Sequence, residues 1–357
     1  MTTVIGWDIG GANTKAVFVR TKNGSVEELR TIIDYFPVWK RPEKLAGLLT
    51  RLREQVSENA TLDGVGLTMT AELSDAYQTK REGVNQILAC AAQAFHGLPV
   101  FVLDVNVTLR SISDACSEPL NVAAANWAAT GWLVAQLVKT CVIVDVGSTS
   151  TSIIAVHDGR VSAAGMNDFE KLMMGELVYT GSLRTNVAAI VSSVPLRNNN
   201  VRVASELFAQ SADVHLVLGN ITEDDYTTET ADGRGKTRSA ALARLARVVC
   251  ADREMLTEEE IVQIATYVHN RQVAQVAEGL SQVYSRVRSL TSNKIPVVAT
   301  GIGKDFLAKV AAERLSVDAF IDLGELVPND IVKASPAAGV ALMTASKLER
   351  RVVKWIL

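Results

Sequence analysis

A chain of 357 residues is long enough for two domains with full cores. Its high apolar and low aromatic content suits an α/β protein, and a net charge of −3 offers no broad basic field for nucleic acid. No apolar run reaches the roughly 18 residues that a membrane span needs, and the opening MTTVIGWDIGG lacks a signal-peptide pattern. Cys90, Cys116, Cys141 and Cys250, like the four histidines, are scattered, which fits reduced core thiols better than disulfides or zinc. A cytoplasmic protein with neither nucleic acid nor membrane as partner is expected.

In chain order, residues 4–9, 15–20 and 26–33 read as strands, the third after the turn KNGS. Leu45, Leu48, Leu49 and Leu52 put one apolar face on a helix over 42–56. DGVGLTM (63–69) reads as a buried strand, REGVNQILACAAQAF as a helix, PVFVLD (99–104) as a strand and 121–138 as a helix. This is the βββαβαβ order of an RNase H-like domain. The pattern restarts at Cys141 with strands over 142–145, 151–156 and 160–164. His157 and Asp158 fall in a hairpin turn, HDGR. The stretch 167–253 is less regular and holds a predicted strand, VHLVLG (214–219), and a polar loop. A long helix over 258–290 follows, suited to a dimer face in a homo-oligomer or to an interior position. Then come a strand (295–300), a helix (306–314), a strand (319–324) and a last helix over 334–355. The predicted fold class is α/β: two RNase H-like lobes around a central cleft. The first would span 1–138. The second would span 139–357, with an insertion over 167–290 and its last helix near the lobe interface.

Two segments about 140 residues apart are near copies: VIGWDIGGANTKAVFV from Val4 and CVIVDVGSTSTSIIAV from Cys141. Each is a strand ending in an aspartate, a glycine turn and a second strand, which points to a duplicated hairpin. Glycines let the backbone approach a ligand, and successive turn N–H groups make an anion nest. Gly10, Gly11, Asn13 and Thr14 in the first turn and Gly147, Ser148 and Thr149 in the second are therefore candidate phosphate-binding residues. Asp8 and Asp145 are candidate Mg²⁺ ligands, because Mg²⁺ favours carboxylate and phosphate oxygens. Lys15 adds positive charge. Asp8, Asp145 and Lys15 form the candidate catalytic set.

These motifs resemble the actin/hexokinase/Hsp70-like superfamily. IGWDIGGANTK is similar to its first phosphate motif and VIVDVGSTSTS to its second. VVATGIGKDFLAK (297–309) is similar to its adenosine motif and SPAAGVALM (335–343) to its second connecting helix. That resemblance marks Gly301, Gly303 and Lys304 as substrate-binding. Ile302 separates two glycines that are usually adjacent, which speaks against ATP; a side chain turned into the core would leave ATP binding intact. Three further segments, GLTMTAELSDAYQTKREGV (66–84), VHLVLGNITEDDYTTETADGRGKTR (214–238) and LARLARVVCADREML (242–256), are similar to hydantoinase/oxoprolinase-like proteins of tetrahydromethanopterin-linked one-carbon metabolism. The resemblance implies a transferase of methanofuran or methylofuran biosynthesis. It would condense a phenolic tyramine- or tyrosine-type acceptor with an aminomethylfuran methylene diphosphate and release pyrophosphate. The alternatives are an ATP-dependent small-molecule kinase or ATPase, and a non-catalytic nucleotide-binding protein.

Other residues carry two readings each. Lys80 and Arg81, beside Glu82, bind phosphate or a carboxylate, or are a solvated helix start. Asp104 and Asn106 edge the cleft or cap a turn. Glu223, Asp224 and Asp225 recognise an amine or metal, or are an exposed loop. Arg234, Lys236 and Arg238 close over an anion or solvate a lid. Arg184 sits at a helix or loop junction. Of Trp127 and Trp132, at least one is core, and the C-terminal KLERRVVKWIL is expected to dock on its own protein.

Overall fold

The structure is a computed structural model that describes residues 1–354. The first stretch runs β1 (Thr2–Ile9), β2 (Asn13–Lys22), β3 (Ser25–Tyr35), α1 (Leu45–Ser57), β4 (Gly64–Met69), α2 (Lys80–Ala94), β5 (Val100–Leu103), β6 (Leu109–Ser111), α3 (Ile112–Ser117) and α4 (Asn126–Ala135). Next come β7 (Cys141–Val146), β8 (Thr151–His157), β9 (Arg160–Val161), α5 (Asp168–Met173), β10 (Leu177–Val178), α6 (Val187–Ile190), β11 (Ser193–Leu196) and β12 (Asn199–Arg202). The remainder is α7 (Ser211–Val217), α8 (Arg238–Arg247), α9 (Glu258–Arg288), β13 (Pro296–Thr300), α10 (Lys309–Arg314), β14 (Ala319–Asp322), α11 (Asn329–Val332) and α12 (Ser335–Glu349).

One sheet has the order β3-β2-β1-β4-β5-β6, and another runs β10-β8-β7-β13-β14 with β9 also on β8. In each, an antiparallel hairpin leads into later strands added beyond its first strand, the RNase H-like arrangement. The α/β class with two such lobes is thus observed. The chain forms two compact units. The first holds Met1–Ile143, Ile154–Met173 and the chain from Ile321; the second holds Val144–Ile153 and Met174–Phe320.

In the first unit, strand alternation places Ile5, Trp7, Ile9, Val65, Leu67 and Met69 on one buried face with the leucines of α1 and the apolar side of α2. Trp7 and Phe95 meet at 5.2 Å between ring centroids. The opposite face carries Gly6 and Gly66, and α12 lies directly on it. A Cβ on Gly6 would fall 2.1 Å from the Ala337 carbonyl, and one on Gly66 would fall 2.1 Å from Thr344 Oγ1. Gly339 lets α12 meet α4 just as closely, at the Ala129 carbonyl. Trp127 on α4 is buried with Lys171 Nζ 3.5 Å from its ring centroid, whereas Trp132 is half-buried.

Two expectations need correction. VHLVLG is not a strand: Ser211–Val217 is helix α7, capped by reciprocal bonds of Gln210 and Asp213. Every residue of α7 is buried, so the segment shows no polar face, and a short apolar run cannot by periodicity alone be assigned to helix or strand. The last helix ends at Glu349, because Arg350 turns into the left-handed region (φ 53°); Trp355 lies outside the described residues. Within the described residues, the segment after α12 docks on its own unit, with Lys354 bonded to Gly24 and Val26 at the β2–β3 turn. Helix α9 opens on a Thr257/Glu260 capping box and buries Ile261, Ile264, Val268 and further residues along one face. Among the described residues no helix is long and apolar enough to cross a membrane.

Candidate functional site

Both glycine turns close with the same bond. Gly10 N–H donates to the Asn13 carbonyl at 3.0 Å, and Gly147 N–H donates to the Ser150 carbonyl at 3.0 Å. In each copy the glycine stands two residues after the strand-end aspartate. A Cβ on Gly10 would lie 2.7 Å from the Asn13 oxygen, whereas Gly11 faces open space. The carbonyls of Gly11 and Ala12 accept from Val38 and Phe36, which pins the first turn to the segment after β3.

Register places Asp8 opposite Lys15 on β2 and Thr68 on β4. Asp8 is 3% exposed, and Lys15 Nζ lies 3.2 Å from its Oδ2. Its Oδ1 is buried with no hydrogen-bond partner, as are Thr68 Oγ1 and Thr14 Oγ1. Buried acceptors left unpaired are costly, and an unsatisfied carboxylate oxygen beside an ammonium suits a cation or a ligand hydroxyl. The oxygen donors fit Mg²⁺. Among the described residues no three His, Cys, Asp or Glu side chains gather into a metal cage, but Mg²⁺ on a phosphate ligand needs only one or two carboxylates.

The second turn, in the other unit, is braced by a loop that sequence reasoning gave little weight. Ser182 N–H donates to Gly147, and the Leu183 and Arg184 N–H groups donate to Ser148. Arg184 Nη1 reaches Thr149 Oγ1 at 3.3 Å. Gln272 on α9 donates to Thr180 Oγ1 and to the Gly181 carbonyl, both at 2.8 Å, and His215 bonds the same glutamine at 3.0 Å. Burial pushes His215 down to about 3, so it is a neutral structural group. A glutamine inside a long helix gives no sequence signal for this role. Gly301 (φ +86°) and Gly303 pack against the end of β7: Cβ atoms there would fall 2.4 Å from the Val146 carbonyl and 2.4 Å from Val146 Cγ1. A Cβ on Gly301 would also lie 2.8 Å from Asp145 Oδ1, so these glycines bring the 300–304 turn onto the Asp145 strand. Ile302 is half-buried, and Lys304 Nζ lies 3.2 Å from Asp305.

The remaining candidates separate. Arg81 is exposed on the first turn of α2. Lys80 pairs with Asp168 at 2.5 Å and lies 4.0 Å from Glu72. Asp104 caps its turn, accepting from Asn106 and Thr108 and pairing with Arg110 at 2.7 Å. Asp225 bonds within its own loop to Thr222, while Tyr226 is buried and donates to Asp213 at 3.1 Å. Asp213 is buried, which raises its pKa, against the lowering influence of Arg244. Arg244, also fully buried, pairs with Asp213 and with Asp232. Arg238 pairs with Glu258 at 2.5 Å, and Lys236 Nζ lies 5.6 Å from the Tyr226 ring centroid.

Two sheets that each grow from a leading hairpin, with a carboxylate near the end of each first strand, give the fold expected of the superfamily the sequence resembles. The Hydantoinase/oxoprolinase family model matches residues 63–347, and the chain belongs to that family. It is 37% identical over 348 residues, 97% of this chain and 99% of the relative, to the (4-{4-[2-(gamma-L-glutamylamino)ethyl]phenoxymethyl}furan-2-yl)methanamine synthase of Methanocaldococcus jannaschii. The synthase of the same name from Methanococcus vannielii is 32% identical over 216 residues, 60% of this chain and 95% of the relative. Among solved structures, nucleotide-free acetone carboxylase aligns with a TM-score of 0.57 at 10% identity, over 96% of this chain and 70% of that one, a likeness of fold.

Proposed function

We propose that this chain is a transferase of methanofuran or methylofuran biosynthesis. It condenses the phenol of a tyramine- or tyrosine-type amine with an aminomethylfuran methylene diphosphate and releases pyrophosphate. The observation that carries the reading is the match, over nearly the whole of both chains, to a synthase named for a phenoxymethylfuran product. The orphaned Asp8 Oδ1 supports it, since a carboxylate held in that state is suited to a ligand or metal.

In this reading the phenolic oxygen forms a bond to the furan methylene carbon, the carbon–oxygen bond to diphosphate breaks, and the phenolic proton is lost. The furan oxygen stabilises positive charge that builds on the methylene carbon as that bond breaks. Each glycine turn by itself, Gly10, Gly11, Asn13 and Thr14 in one unit or Gly147, Ser148 and Thr149 in the other, offers N–H and hydroxyl donors to phosphate oxygens. Lys15 adds a fixed positive charge. Asp8, near the end of β1, would hold Mg²⁺, which would neutralise charge on departing pyrophosphate; Asp145 stands at the equivalent place in the hairpin of the other unit. The protein otherwise has to orient the two rings and keep water from the carbon. Ile302 between Gly301 and Gly303 supports a reaction without ATP.

The test is pyrophosphate release with Mg²⁺, each substrate alone and both together. Release only with both is expected. No release with both would refute the reading, and phosphate release from ATP alone would favour the kinase or ATPase alternative.

A further inference from the structure

Strand β4 ends beside the first glycine turn, where the Thr70 amide bonds the Ile9 carbonyl at 2.9 Å. The chain then makes a single 3-10 turn, Ala71–Leu73, and enters α2 through Thr79, whose Oγ1 accepts from Glu82 N–H. Glu72 is caught beneath that first helical turn. A Cβ on Gly83 would lie 2.6 Å from Glu72 Cα, so only glycine lets the helix close over it. Glu72 is 1% exposed; no side chain hydrogen-bonds its carboxylate, and the backbone amides of Glu72 and Ala124 are the donors near it. The charged groups facing it are Lys80, from α2, and Asp168, from α5.

Lys80 and Asp168 open onto a cavity of about 490 Å³ whose other walls include Leu73, Leu120, Phe169 and Leu172. These four are well exposed, Phe169 by 71%. An apolar cavity with few polar groups is the usual form of a site for a small aromatic molecule. With both carboxylates ionised the Glu72–Lys80–Asp168 cluster carries one net negative charge; once Glu72 holds a proton the cluster is neutral, and the Lys80 ammonium can then pair with a newly formed oxygen anion.

Resting on the transferase reading, we infer that this cavity is the acceptor site. The phenol ring packs against Leu73 and Phe169 with its oxygen on Lys80 Nζ, and Glu72 receives the phenolic proton by relay through Lys80. Lys80 Nζ, 4.0 Å from Glu72 Oε1, closes that gap and gives one of its protons to the carboxylate; the amine left behind takes the phenolic proton as the O–H bond breaks, so that Lys80 is again an ammonium, now beside a phenolate, and Glu72 is a neutral acid. The negative charge moves from a buried, unsolvated carboxylate to an oxygen paired with a cation. Burial lifts Glu72 to about 7, where a base is effective near neutral pH. Lys80 touches the acceptor; Glu72 is a positioning residue that acts through it.

The experiment compares the full chain with Lys80→Met and Glu72→Gln, checking each fold by thermal unfolding. The first readout is the absorbance titration of bound 4-nitrophenol, which needs no turnover. The wild type should bind the probe and ionise it at a lower pH than in free solution. Lys80→Met should abolish that shift, and Glu72→Gln should keep or enlarge it. The second readout is the pH profile of pyrophosphate release. Glu72→Gln should fall about a hundredfold at pH 7, the lower end of what positioned proton transfer contributes. Its rate should then climb with pH towards the phenol's own ionisation near 10, while the wild type levels off above about 7. An unshifted or unbound probe in the wild type, an unchanged shift in Lys80→Met, or a wild-type pH profile in Glu72→Gln would overturn the inference. A Lys80-dependent probe shift without pyrophosphate release from any protein would refute the transferase reaction and leave the phenol site standing.

Discussion

Replacing Asp8 by asparagine should separate stability from function. Asp8 Oδ1 is buried without a hydrogen-bond partner in the protein, and an unmet buried acceptor costs about 1–3 kcal/mol, more when it is charged. The opposing loss is the contact with Lys15 at 3.2 Å. The lysine side chain keeps 22% of its exposure and can turn to solvent, so that contact contributes no more than about 1 kcal/mol. The balance favours the variant by roughly 0–2 kcal/mol. At about 2–4 °C per kcal/mol for a chain of 150–250 residues, and less for a longer one, the unfolding midpoint should hold or rise by up to about 4 °C. Pyrophosphate release should fall below about a hundredth of wild type, because the removed charge is the one the turn presents to the ligand. Differential scanning calorimetry without ligand, paired with a pyrophosphate assay, reads both. A midpoint lowered by several degrees with activity retained would show that Asp8 holds the hairpin together and does nothing more.

Two further outcomes are expected. Arg244→Met should strand the Asp213 carboxylate, since Arg244 Nη2 is 2.7 Å from it and both side chains are fully buried. Breaking such a pair costs about 3–5 kcal/mol, and urea unfolding should show most of that restored in the Asp213→Asn/Arg244→Met double variant. Glu72→Gln should stabilise the fold in a pH-dependent way. Burial raises Glu72 from 4.5 to about 7, so between those values the native state binds more protons than the unfolded state and stability falls as pH rises. The gain from glutamine should be absent at pH 4 and approach about 3 kcal/mol at pH 8, measured by denaturant titration at both; an equal gain at both would contradict the account.

The chain by itself determined most of the architecture. Short apolar runs bounded by turns marked β1, β4 and β7, which are buried on both faces, and a period of 3.6 residues marked α1 and α2, each of which buries one regular face. The paired Asp–x–Gly turns were legible for a local reason: a turn closing on Gly10 or Gly147 must be coded where it occurs. Tertiary structure alone decided the rest. Helix α7 looked like a strand because burial on every side leaves no polar face to set its period. The brace formed by Gln272, Thr180 and Gly181 joins residues 91 and 92 positions apart, and nothing local in a helical glutamine announces it. Glu72 reads in sequence as one acid in an ordinary loop. Its burial arises only when Gly83 lets α2 close over it and Lys80 and Asp168, 88 residues apart, meet above it, since the cost of a buried charge depends on what folds around it and not on its neighbours in the chain.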